Sequence, residues 1–223
     1  MKLLSVDTST DYLALAVTDG GKTLSRLNRK APRSHSSLLM PMIDRLLKKA
    51  RIKLKDIDGY CVGVGPGSFT GLRIGITTVK GLASVTNKPI VAVPTFDAIA
   101  QNAKKLSGVI CVALDARKSK VYGSFYSSDG AGLVRRASKH LLLPAAELLK
   151  SCEKYDTLYF IGDYAERMAA LRPKAGVVTD KWHPRAESIA AVGAGLFAKK
   201  KFVSAEKLEP MYIYSRECDI KGI

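Results

Sequence analysis

A chain of 223 residues, 47% hydrophobic and 25% charged, has the balance of an ordinary globular protein and room for one large core or two small ones, which excludes a disordered or fibrous chain. Lys and Arg outnumber Asp and Glu by 36 to 20, and the formal charge of +16 favours polyanionic partners, nucleic acid first. No window approaches a membrane span, and Asp7 interrupts the apolar opening too early for a signal peptide, so a cytoplasmic protein without a membrane partner is expected.

Alternation predicts strands over 3–6 and 12–17, joined across the polar turn Asp7-Thr8-Ser9-Thr10-Asp11. Asp19-Gly20-Gly21 then turns the chain into a third strand near 23–29. Leu38, Leu39, Met42, Ile43, Leu46 and Leu47 form an apolar stripe at helical spacing. Pro41 lacks the backbone donor a helix interior needs, so the regular helix is expected to start near it or to be distorted in its first turns. A basic run over 48–55 follows.

A short strand over 60–64 leads into G-V-G-P-G-S-F-T-G-L-R-I-G, residues 63–75. Glycines here present bare backbone N–H groups at a helix start, where either an anion or another stretch of backbone fits. A helix over 69–85, a strand over 89–93 and a helix over 95–106, with Thr95 as candidate N-cap, complete an order β-β-β-α-β-α-β-α.

The pattern then begins again. Strand 109–114 runs into Asp115, the polar turn Ala116-Arg117-Lys118-Ser119 and strand 121–126, with a third strand over 133–139. A helix over 145–151, strand 158–161, helix 164–171, strand 176–178 and helix 186–199 complete the parallel. The expected fold is α/β: two lobes of the same order, the second reduced, over 1–106 and 107–223, with a hinge near Ser107-Gly108.

Candidates for chemistry are few. Cys61, Cys111, Cys152 and Cys218 form no C-x-x-C pair and read as reduced thiols. His35, His140 and His183 are isolated, so neither a metal site nor a cofactor is expected. Ser68, Ser119 and Ser215 have no visible His/Asp constellation for a peptidase.

Six motifs nevertheless occur in a specific order: S-V-D-T-S-T (5–10), H-S-S-L-L-M-P-M-I-D (35–44), G-P-G-S-F-T-G-L-R-I-G (65–75), V-A-L-D-A-R-K-S-K-V-Y (112–122), H-P-R-A-E (183–187) and E-P-M-Y-I-Y (209–214). Together they resemble the actin-like ATPase superfamily, whose lobes are ribonuclease H-like, and within it the bacterial TsaB or YeaZ family. The resemblance implies a non-catalytic paralogue of TsaD, the subunit that transfers threonylcarbamoyl to N6 of adenosine 37 in tRNAs reading codons that begin with A. It implies a heterodimer with TsaD, a TsaE-type ATPase in a larger complex, and a homodimer as an open state of the chain alone. TsaD-like enzymes carry an H-x-x-x-H pair for a metal, whereas His35 is followed at the fourth position by Leu39.

Residues Asp7, Thr8, Ser9 and Thr10 stand where the superfamily has a D-x-G-T phosphate loop, with Ser9 in the glycine position, and Asp115 stands at the second-lobe equivalent. Both therefore read as degenerate loops, with turn stabilisation by Asp and Thr side chains. The resemblance makes the first two helices a four-helix seam with TsaD or a second copy. It assigns to that seam His35, Leu38, Leu39, Met42, Ile43, Leu46, Phe69, Gly71, Leu72, Arg73, Gly75 and Ile76. Gly71 and Gly75 would allow close helix approach, and Gly75→Leu is expected to abolish pairing while leaving the monomer folded. The alternative is an ATPase or phosphotransferase using Asp7 or Asp115 and an interlobe cleft, for which Ile161-Gly162-Asp163 and 192–195 are thin adenosine-loop candidates. Direct contacts to tRNA phosphates are a separate expectation from the charge.

Overall fold

The computed structural model describes residues 1–213; Tyr214, Ser215 and Cys218 lie outside the described residues. The elements run β1 (Lys2–Asp7), β2 (Tyr12–Asp19), β3 (Lys22–Lys30), α1 (His35–Ala50), a 3-10 turn (Leu54–Asp56), β4 (Gly59–Gly65), α2 (Phe69–Thr86), β5 (Ile90–Pro94) and α3 (Thr95–Gln101). They continue with β6 (Ser107–Asp115), β7 (Lys120–Asp129), β8 (Val134–Arg136), β9 (Leu141–Pro144), α4 (Ala145–Cys152), β10 (Leu158–Ile161), α5 (Ala165–Ala170), β11 (Gly176–Val178), α6 (Ala186–Ala198) and β12 (Phe202–Val203). No helix among the described residues is long and apolar enough to cross a membrane.

Two compact units form: residues 1–102 with 183–211, and 103–182 with the described residues after Met211. In the first, the sheet order is β12-β5-β4-β1-β2-β3. Strands β1, β2 and β3 are an antiparallel meander, while β4 and β5 join in parallel beside β1. Gly20 and Gly21 make the β2–β3 turn with φ of 54° and 86°, which a side chain would strain. The central strands β1 and β4 are buried along nearly their whole length, as their apolar runs require when both faces are covered. One face packs Leu4, Val6, Leu13 and Leu15 against Leu39, Ile43 and Leu46 of α1 and Leu72, Ile76 and Val79 of α2. Each such side chain contributes about 1.5–3 kcal/mol through burial. The other face packs Leu3, Cys61 and Val91 against Ile189 of α6.

In the second unit the path β11-β10-β6-β7-β8 reproduces the first unit's β5-β4-β1-β2-β3, with the same parallel and antiparallel pairings. The duplicated α/β order is therefore present, with four differences from the sequence reading. Helix α6, expected to close the second lobe, lies on the first unit's sheet, so the 1–106 and 107–223 division does not describe the compact units. The expected strand over 133–139 is two strands, β8 and β9. Ser138 Oγ accepts the N–H of Phe125 at 2.9 Å, interrupting the ladder on β7 before Leu141 resumes it. Helix α3 stops at Gln101, where the Asn102 side chain turns to the backbone carbonyl of His183 at 2.8 Å. Helix α1 begins at His35 and runs through Pro41, rather than starting near it.

Candidate functional site

The end of β1 delivers Asp7 into the interior, where it is fully buried. Its Oδ1 accepts hydrogen bonds from the Ser9 N–H at 2.9 Å and the Ser9 hydroxyl at 2.7 Å, and its Oδ2 accepts from the Thr95 hydroxyl at 3.2 Å. Thr95 Oγ1 in turn accepts the N–H of Gly65 at 3.2 Å. Thr95 is thus the first residue of α3 and ties the Asp7 turn to the glycine loop, rather than capping its own helix. Burial pushes the Asp7 carboxyl up, against the hydrogen bonds of Ser9 and Thr95 and the charge of His35.

The glycine loop packs on this turn. Ser68 N–H donates to the Ser9 carbonyl at 2.7 Å, and the Thr8 hydroxyl donates to the Gly71 carbonyl at 2.7 Å. Ser68 caps α2 by accepting the Gly71 N–H at 3.2 Å. A Cβ at Gly63 would strike the Asp7 carboxylate, one at Gly67 the Ser9 backbone, one at Gly71 the Thr8 carbonyl and one at Gly75 the Thr8 hydroxyl. The glycines serve approach between two segments of this chain, the second of the two uses open to such a loop. Gly71 and Gly75 therefore face the chain's own Thr8 rather than an external helix. Gly75→Leu would displace that turn, so the expectation of an intact monomer is withdrawn.

The remaining seam residues divide sharply. Leu39, Ile43, Leu46, Leu72 and Ile76 belong to the core, so the double ridge on α1 is largely intramolecular packing. His35 is buried at the first position of α1, its Nε2 without a hydrogen-bond partner among the described residues. Leu38 and Met42 are half-buried, and Arg73 is exposed. Phe69 is 50% exposed, with the Arg73 guanidinium 3.9 Å from its ring centre. Met40, 49% exposed, adds apolar surface on the same helix pair, as does Val85, 83% exposed, which the sequence reading did not single out.

The H-P-R-A-E motif forms a separate network in the first unit. His183 stacks on Tyr12 with ring centres 3.6 Å apart. Asn28 on β3 accepts the Ala186 N–H at 2.7 Å and donates to Glu187 Oε2 at 2.9 Å, while Arg26 pairs with Glu187 Oε1 at 2.9 Å. Partial burial works against the Glu187 charge, but the Asn28 bond and Arg185 outweigh it and hold the carboxyl below its ordinary range. The motif therefore docks the N-terminal end of α6 on β3.

In the second unit Asp115 is exposed, and its Oδ1 accepts the Arg117 N–H at 2.7 Å across a turn in which Arg117, Lys118 and Ser119 all have positive φ. Its own N–H donates to Asp163 Oδ1 at 2.8 Å, and burial raises the Asp163 carboxyl. Among the described residues no group of three or more His, Cys, Asp or Glu side chains is arranged to hold a metal. Cys61, Cys111 and Cys152 are buried free thiols, and burial pushes Cys61 up to about 12.

The family model of TsaD, tRNA N6-adenosine threonylcarbamoyltransferase, matches residues 27–199. The chain is 29% identical over 219 residues to the tRNA threonylcarbamoyladenosine biosynthesis protein TsaB of Escherichia coli strain K12, covering 96% of this chain and 94% of that one. Its counterpart in Buchnera aphidicola subsp. Schizaphis graminum is 30% identical over 182 residues, 81% of this chain and 79% of that protein. The chain belongs to the TsaB (YeaZ) family. A solved structure of YeaZ from Pseudomonas aeruginosa superposes on this TsaB-family chain with a TM-score of 0.81 at 29% identity, covering 95% of this chain and 99% of that one. A ROK hexokinase from Thermus thermophilus, at a TM-score of 0.53 and 12% identity, shares the fold alone.

Proposed function

We propose that this protein is a non-catalytic subunit that binds and activates TsaD for threonylcarbamoylation of N6 of adenosine 37 in tRNA, with a TsaE-type ATPase in the larger assembly. Membership of the TsaB family supports a role in threonylcarbamoyladenosine biosynthesis. The observation that carries the non-catalytic reading is the closure of the degenerate phosphate loop: the Asp7 oxygens are taken by Ser9 and Thr95, the Ser68 N–H by the Ser9 carbonyl and the Gly71 N–H by the Ser68 hydroxyl. The N–H groups of Ser9, Ser68 and Gly71, which would face a phosphate there, are engaged within the chain. The outer surface of α1 and α2, with Leu38, Met40, Met42, Phe69 and Arg73, supplies the face for TsaD. It combines adaptable Met with an aromatic backed by a guanidinium.

The test is reconstitution with the TsaD of the same organism, threonylcarbamoyl-adenylate and an unmodified tRNA, followed by mass spectrometry of the nucleosides. The chain alone makes no modified nucleoside, TsaD with the chain makes it, and Phe69→Asp loses the stimulation while melting at the parent temperature. Stimulation abolished by Asp7→Asn with complex formation intact would assign the chain chemistry of its own and overturn the proposal.

A further inference from the structure

Helices α1, α2 and α6 bring their C-terminal ends to the end of the first sheet from which β1, β4 and β5 start. The chain leaves α1 to enter β4 at Gly59 and leaves α2 to enter β5 at Ile90, and the Phe197 ring near the end of α6 packs on Gly59. Cations gather at this end. Lys49, Arg51, Lys53 and Lys55 run from the last turn of α1 into the 3-10 turn, and a further basic run, 199–201, follows α6. All of these are exposed, and none forms an ion pair with a described residue. The neighbouring Asp56 and Asp58 are turned onto the backbone N–H groups of Lys53 and Lys2 instead of onto side-chain cations. Arg51, the C-cap of α1, and Lys200, just beyond the cap of α6, are both in the left-handed conformation, with φ 58° and 53°. A helix C-terminus draws cations only within its last turn, and Lys53 and Lys55 lie beyond it.

We infer that this end of the first unit binds the phosphate backbone of a folded RNA. The inference rests on the proposed role in tRNA modification and gives the chain its own share in holding the tRNA. Lys and Arg side chains free of internal pairing release condensed counterions on meeting phosphates, and they read no bases. Strand β1 spans six residues from Lys2, at the basic end, to Asp7, a separation of about 17 Å. Phe69, the first residue of the 18-residue α2, likewise lies a full helix length from that helix's basic-end terminus, so RNA and partner contacts occupy different ends.

The experiment is fluorescence anisotropy of a labelled, unmodified tRNA transcript titrated with the full chain over a range of KCl concentrations. A patch variant carries Lys49→Gln, Arg51→Gln, Lys53→Gln and Lys55→Gln. A charge-matched control carries Lys104→Gln, Lys105→Gln, Lys150→Gln and Lys174→Gln. The patch variant is expected to bind about 10- to 100-fold more weakly at moderate salt, with the slope of log K against log[salt] reduced by about 3. The control is expected to change by less than about 3-fold on the same scale. Equal losses in the two variants, no loss in the patch variant, or displacement of the RNA by polyglutamate as readily as by unlabelled RNA would each overturn the inference. Light scattering of the patch variant with TsaD separates the two readings: pairing retained with unchanged RNA binding sinks this inference alone, and pairing absent in the parent chain sinks the partner reading.

Discussion

Asp7 places a carboxyl group in the interior of the first unit. Its carboxylate is buried and consumed by Ser9 and Thr95, and burial raises it above the ordinary value of 3.8. The unfolded chain therefore gives up this proton before the folded chain does. The stability from the group is fully present below the unfolded value and declines as pH rises through the folded one. Asp7→Asn keeps the acceptor toward Ser9 and never ionises, so its melting temperature should gain on the parent's as pH rises above the ordinary carboxylate value of 3.8; parallel curves would contradict the buried charge. A second prediction separates the glycines. Gly75→Ala and Gly71→Ala should each cost about 1–3 kcal/mol through overpacking against the Thr8 turn. The Gly75 contact is with the Thr8 side chain and the Gly71 contact with its carbonyl. Thr8→Ala should thus recover much of the loss in a double mutant with Gly75→Ala and none with Gly71→Ala, as read by chemical denaturation. The sequence showed that residues 63–75 needed bare backbone, but the segment that approaches them comes from more than 50 positions earlier, a pairing that no local pattern records. Thr95 was misassigned for the same reason, because its N-cap signature is local and its bond to Asp7 spans 88 positions.

At the scale of elements, the apolar periodicities were legible wherever one face of a helix met one face of a sheet. Helices α2, α4 and α6 were recovered within a residue or two, whereas α1 starts six residues before Pro41. The stripe on α1 did not disclose which part of it was core. The neighbours of Leu38 and Leu39 are alike in type, and only the packing leaves Leu38 half-buried and Leu39 buried. Nor did the repeat reveal that α6 serves the first sheet, since that placement depends on Asn28 and Glu187, 159 positions apart. Asn28→Ala would orphan the Ala186 N–H and remove the Glu187 bond. It should cost about 1–3 kcal/mol and should speed amide hydrogen exchange in α6 more than in α2. Exchange that accelerates uniformly through the unit would show that α6 is not docked by this side chain.

For the molecule as a whole, the repeated strand order was the strongest sequence signal, because two passes of antiparallel meander and parallel crossover leave few topologies open. The same duplicated frame carries a kinase in the ROK hexokinase and, on our reading, an interaction subunit here, so the fold alone does not decide the activity. Our reading rests on the Asp7 turn tied to the glycine loop and on the apolar and aromatic surface left on α1 and α2. Because Phe69 stands half out of the surface, Phe69→Asp should remove partner binding without unfolding, a separation that Gly75→Leu could not give. The most direct measurement is multi-angle light scattering of the chain mixed with the TsaD of the same organism, repeated with Phe69→Asp. The account predicts a stable complex of the two proteins that is lost in the variant while its melting temperature is kept. A chain that elutes apart from TsaD, or a variant that pairs as well as the parent, would contradict it.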